Sequence, residues 1–123
     1  MDKNDLEGRT KQFAVRIVKF VTVLPHIPVA NVMGYQLLKC GTSIGANYRE
    51  ANRAESRDDF IHKIAIVEKE ASETRYWLEL FEEASLGICD DRQWLLKEAN
   101  ELLAIFTASG RTAKSRREAE SHR

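Results

Sequence analysis

Apolar residues recur along this chain at gaps of three and four, the spacing that puts them on one face of a helix. Four segments carry the pattern. In the first, from about Thr10 to Leu24, the stripe is Phe13, Ile17, Phe20 and Leu24. Pro25 and Pro28 close it, because a proline has no amide donor and its ring clashes with the turn before it. The loop Pro25-His26-Ile27-Pro28 is expected to be extended. The second segment runs from Asn31, read as its N-cap, to about Arg53. Its stripe is Met33, Leu37, Cys40, Ile44, Asn47 and Ala51, so an asparagine falls on the apolar seam. Gly41 and Gly45 share one face. Each costs up to ~1 kcal/mol against alanine inside a helix, so the pair reads as a small surface for a close helix neighbour, or else as a kink.

The third segment is the most regular. Ser56 is a suitable N-cap, and Asp58 and Asp59 in the first turn suit the positive end of the helix dipole. Phe60, Ile64, Val67, Ala71, Thr74, Leu78 and Phe81 then alternate without a break, and Trp77, Leu80 and Ala84 form a second stripe beside them. This helix is expected to reach about Leu86 and stop at Gly87. The fourth begins at Asp90 or Asp91, where Asp90 with Gln93 has the form of a capping box. Leu95, Ala99, Leu102, Phe106 and Ser109 make its stripe, flanked by Trp94, Leu103 and Ile105, and Gly110 ends it. Residues 1–9 therefore read as an N-terminal arm, 10–110 as the folded unit and 111–123 as a flexible basic tail almost free of apolar side chains. No strand-type alternation survives. The expected fold is all-α, an antiparallel up-down-up-down four-helix bundle.

Composition narrows the classes. The 123 residues suit one domain, and two prolines and six glycines leave little room for a loop-rich β fold or a disordered linker. Cys40 and Cys89 are too few and too far apart for a disulfide framework or metal cluster, and read as reduced, mostly buried side chains. The polar N-terminus shows no signal-peptide pattern, and the run Phe20-Val21-Thr22-Val23-Leu24 falls far short of the ~20 residues that span a bilayer. A cytoplasmic protein without membrane contact is the expectation.

Basic and acidic residues balance at 19 each, which argues against holding nucleic acid by bulk charge. The balance is local nowhere. Residues 1–60 hold nine basic and seven acidic groups, residues 61–106 five and ten, and residues 107–123 five and two. Lys39, Arg49, Arg53, Arg57, Arg111, Lys114, Arg116 and Arg117 are the candidates for a nucleic-acid-facing patch, against the plainer reading of a scattered soluble surface.

Few residues suggest chemistry. Arg57 and His62 have the Arg-x4-His form of the helical ribonucleases of the HEPN superfamily, in which arginine and histidine meet across an RNA phosphate. One such spacing is unsurprising in an arginine-rich chain, and the plainer reading leaves His62 as a surface helix residue. Asp59 and His62 resemble half of a di-iron site, but His26 and His122 lack the partners for the rest. The glutamates from Glu68 to Glu83 read as a solvated face. Ser43 and Ser72 have no local base that would make a nucleophile. No catalytic residue, metal, cofactor or small-molecule substrate is expected.

More apolar surface is present than one bundle needs. Tyr76 and Trp77 are adjacent and cannot both face one core. With Leu80 and Trp94 they are the candidate interface for further copies of the chain.

The second and third helices carry a resemblance. Gly41-Thr42-Ser43-Ile44-Gly45-Ala46-Asn47-Tyr48-Arg49-Glu50-Ala51, Asp59 to Lys63, and Lys69 to Leu80 resemble the bacterial four-helix-bundle proteins named for open reading frames in 23S rRNA intervening sequences. The likeness covers roughly residues 9–114. It implies an antiparallel bundle assembled as a ring-shaped homopentamer. The same broad group contains the accessory variability protein of diversity-generating retroelements, a strongly basic partner of a reverse transcriptase and nucleic acid. This chain is neutral. The motif positions are Ser43, Asn47 and Glu50, which read as a structural polar set: Asn47 bonding Ser43 one turn back or a neighbouring helix, and Glu50 pairing with Arg49 or Arg53. The function so implied is a non-enzymatic homo-oligomeric scaffold or adaptor. Alternatives are a nucleic-acid-binding accessory protein working with RNA or a reverse transcriptase, and a HEPN-like ribonuclease.

Overall fold

The computed structural model describes residues 1–121 and contains four helices: α1 (Lys3–Thr22), α2 (Pro28–Ala51), α3 (Arg57–Glu83) and α4 (Cys89–Ser121). His122 and Arg123 lie outside the described residues. The pairing between helices fixes their directions. Gly34 of α2 lies against Val21 and Leu24, Gly41 against Ile17 and Gly45 against Thr10, so α2 runs against α1. Arg92 meets Glu82 near the α3–α4 loop, while Arg117 and Glu120 meet Asp58 and Arg57 at the far end. Arg16 reaches Trp94 and Arg9 reaches Glu98, which sets α4 antiparallel to α1. The result is an all-α antiparallel four-helix bundle in which α1–α4 is the most open seam.

The stripes meet on the axis. Phe13, Ile17, Leu37, Ile44, Val67, Leu78, Leu95 and Leu102 are fully buried. Two aromatic pairs tie the diagonals. Phe20 of α1 meets Phe81 of α3 edge-on at 5.3 Å, and Tyr48 of α2 meets Phe106 of α4 at 5.3 Å and 52°. Such pairs add ~0.5–1.5 kcal/mol beyond the area they bury. Tyr48, not Asn47, fills the α2 seam at that level; Asn47 is only half-buried. The glycines act through their size. A Cβ on Gly41 would stand 3.1 Å from Ile17, and one on Gly45 3.1 Å from the Thr10 hydroxyl. α2 continues as helix through both, so the close-neighbour reading describes them.

Several boundaries differ from the expectation. α1 begins at Lys3, capped by Asp2, whose side chain accepts from the Asp5 amide at 2.9 Å. The supposed arm is a helical turn with a buried Leu6. α2 starts at Pro28, so Asn31 lies inside it and caps nothing. Proline fits the first helical position because its missing N–H would have no partner there. α2 ends at Ala51, short of Arg53, and α3 at Glu83, with Ser85 and Gly87 at positive φ in the following turn. Asp90 and Asp91 lie in the first turn of α4 rather than capping it. Gly110 does not stop α4, which continues to Ser121 with Ala113 buried. Cys40 is buried, but Cys89 is exposed at the first residue of α4, ahead of the apolar stripe.

Candidate interaction surface

Basic side chains gather at one end of the bundle. α2 ends there, α3 begins there, and the last turns of α4 pass beside them. An open groove of about 310 Å³ is lined by Arg57, Phe60, Ala108, Ser109, Thr112, Ala113 and Arg116. Arg49, Arg53, Arg111, Lys114 and Arg117 belong to the same end, whereas Lys39 lies midway along α2, away from it. Three of these cations are engaged. Arg57 donates to Glu120 at 2.7 Å, Arg117 lies 3.4 Å from Asp58, and Arg49 lies 3.6 Å from Glu7. Arg53, Arg111, Lys114 and Arg116 are exposed and have no acidic partner among the described residues.

The polar set on α2 is local. The Asn47 amide donates to the Ser43 carbonyl at 2.8 Å, and the Ser43 hydroxyl donates to the Lys39 carbonyl at 2.6 Å. Glu50 is exposed and makes no ion pair with Arg49, which turns to Glu7. Arg57 and His62 do not converge. Five residues along a helix turn through about 140°. Arg57 reaches toward α4 and His62 is exposed on α3. The Asp59 carboxyl accepts from the Glu55 amide at 3.2 Å and lies 3.3 Å from Lys63, which together hold it below the usual carboxylate range. Among the described residues no three His, Cys, Asp or Glu side chains come together as a metal site.

The aromatic candidates divide. Trp77 and Leu80 are half-buried and pack on the core. Tyr76 is 59% exposed, its ring set edge-on to Trp77 at 5.2 Å. Trp94 is 36% exposed, and the Arg16 guanidinium lies 3.9 Å from its ring centre. Further apolar side chains stand outside the core on α1 and α2: Val15, Val18, Val29, Val32 and Tyr35. The spacing points to α3 and α4 alone. The signal on α2 was present as Val29-x-x-Val32-x-x-Tyr35, one gap of three repeated beside the buried stripe.

No local pattern in the sequence marks Arg92. It is buried, its Nε donating to Glu82 at 3.1 Å and its Nη1 to the Gly87 carbonyl at 2.7 Å. It thereby ties α4 to the end of α3 and to the turn between them.

A complete core, an exterior of apolar and charged side chains, and surface depressions that are open grooves describe an all-α four-helix bundle. The chain belongs to the 23S rRNA-intervening sequence protein family, whose model matches residues 3–108. A solved structure from Bacteroides thetaiotaomicron, a protein of unknown function from the S23 ribosomal protein family, is similar to it with 38% identity and a TM-score of 0.81. The match covers 90% of this chain and 99% of that one. No curated protein matches the chain. Neither description names an enzymatic activity. Among the described residues no helix is long and apolar enough to cross a membrane.

Proposed function

We propose that this chain is a non-enzymatic scaffold or adaptor that works as a homo-oligomer in the bacterial cytoplasm, a ring of five if it follows its family resemblance. One observation carries the reading. Tyr76 projects 59% exposed from α3 while its neighbour Trp77 already fills the core side. Large exposed aromatics next to apolar neighbours are typical anchors of protein interfaces. The separation of Arg57 from His62 supports a non-enzymatic role within one chain. Size-exclusion chromatography with light scattering tests the reading. Assembly is expected, with Tyr76→Asp shifting the protein toward smaller species while its helical circular dichroism persists.

A second reading has its own support. Arg53, Arg111, Lys114 and Arg116 stand exposed at one end of the bundle and without acidic partners among the described residues, a footprint suited to phosphate. On this reading the protein is an accessory factor for RNA or for a reverse transcriptase. Retention of RNA that falls steeply with salt would support it, and no retention at low salt would end it.

A further inference from the structure

Between Glu7 and Glu50 the chain has no acidic residue and six basic ones; from Glu68 to Glu101 it has ten acidic and four basic. The first stretch is α1 after its opening turns, which hold Asp5 and Glu7, and most of α2; Glu7 lies 3.6 Å from Arg49. The second is most of α3 and the first half of α4. The bundle thus has a cationic half and an anionic half in a chain of zero net charge.

The cationic half contains a groove. Lys11, Ala14, Thr42, Gly45, Ala46 and Arg49 line it on the outside of α1 and α2. Its floor is small because the glycines draw the two helices together, and Lys11 and Arg49 stand at its edge. On α3, the residues one turn either side of exposed Tyr76 are Ser72, Glu73, Glu79 and Leu80. Glu73 and Glu79 are exposed. Glu79 also lies 3.4 Å from Arg75 on the same helix, which leaves Glu73 as the unpaired carboxylate beside the ring among the described residues.

We infer that the α1–α2 groove receives the Tyr76 face of α3 from a second copy of the chain, with Lys11 and Arg49 meeting the acidic residues around the ring. This rests on the self-assembly proposed above and specifies its geometry. The two surfaces are on different helices, so every chain offers both, and each junction is head-to-tail. Head-to-tail junctions close into rings when the rotation allows. A small-floored groove takes a bulky ring, and opposite charges fix its orientation and speed encounter. Between a second copy and a nucleic acid, the apolar floor and the matching acidic face on the same molecule favour the copy.

The test uses full-length chains in native mass spectrometry and sedimentation velocity, with helicity checked by circular dichroism. One variant carries Lys11→Glu and Arg49→Glu; another carries Glu73→Lys and Glu79→Lys on α3. Each alone is expected to raise the concentration needed for assembly by about tenfold or more. Mixing the two restores association into species that contain both chains, since reversed groove meets reversed face and native groove meets native face at each unlike junction. In a ring of five, four junctions match and one stays repulsive, and misfolded chains would form no mixed species. If the wild type assembles and neither variant changes that, the inference falls and the scaffold reading stands. A wild type that stays monomeric at every concentration overturns both. Loss of RNA retention in the groove variant, with assembly intact, overturns the inference and assigns the groove to a polyanion.

Discussion

Arg9 of α1 grips Glu98 of α4 with two parallel hydrogen bonds, Nε to Oε2 at 2.7 Å and Nη2 to Oε1 at 2.8 Å. The pair spans the most open seam of the bundle, with side chains 25% and 13% exposed, and Glu101 supports it at 3.5 Å. Two-pronged, partly desolvated pairs of this kind are stronger than surface ones. Arg9→Met should cost about 1–2 kcal/mol in urea unfolding. The pH dependence follows from the same contact. Hydrogen bonding from Arg9, and then its charge, hold the Glu98 carboxyl below its ordinary value of 4.5. A carboxylate lowered in the folded state stabilises fully above the unfolded value, and the contribution is lost as pH falls through the folded one. The stability gap between wild type and Glu98→Gln should therefore be level near neutrality and close as pH drops below about 4.5.

Two glycines on neighbouring helices should respond in opposite directions. Gly8 has open space where a Cβ would go, and it lies in mid-α1. Gly8→Ala should stabilise by about 0.5–1 kcal/mol. Gly41 faces three Ile17 carbons at 3.1–3.3 Å. Gly41→Leu should destabilise by about 2–3 kcal/mol by forcing α1 and α2 apart. Thermal melts of the two variants under one condition check both.

Arg92 is the buried cation on which the α3–α4 turn depends. Arg92→Met keeps most of the volume but leaves the Gly87 carbonyl and Glu82 without their donor. A loss of about 2 kcal/mol is expected. Faster amide exchange confined to Ser85–Asp90 would mark the local origin of the effect.

Asn47 donates to a carbonyl of its own helix, so within the chain it fixes no register between helices. Asn47→Ala should change the urea midpoint by no more than about 0.5 kcal/mol of stability. A larger loss would mean that the amide serves a contact outside the chain.

The sequence makes most of the interior legible because burial there follows the spacing, with Asn47, Phe60 and Ser109 the stripe positions left half-buried. Phe13-Ile17-Phe20 and Ile64-Val67-Ala71-Thr74-Leu78-Phe81 all lie on the axis as the three-and-four rhythm predicts. Ends are harder. Asn31 looks like a cap, yet Pro28 opens α2 because nothing is lost by a proline there. Residues 111–121 lack an apolar stripe, and their helix is tied to α3 by Arg57–Glu120 and Asp58–Arg117, contacts between residues about sixty positions apart that no local pattern reveals. For the candidate surface, the adjacency of Tyr76 and Trp77 forces one of them outward, but only packing decides which. The acid-free stretch was plain in the letters. A charge tally over residues 1–60 conceals it, since its seven acids lie in residues 1–7 and 50–60.

Sedimentation equilibrium of the purified full-length chain tests the central claim, that this bundle completes itself with further copies. The account predicts a single species of several chain masses, five if the family resemblance extends to assembly, that dissociates as salt rises. A species of one chain mass across the whole concentration range, at low and at high salt, would contradict it.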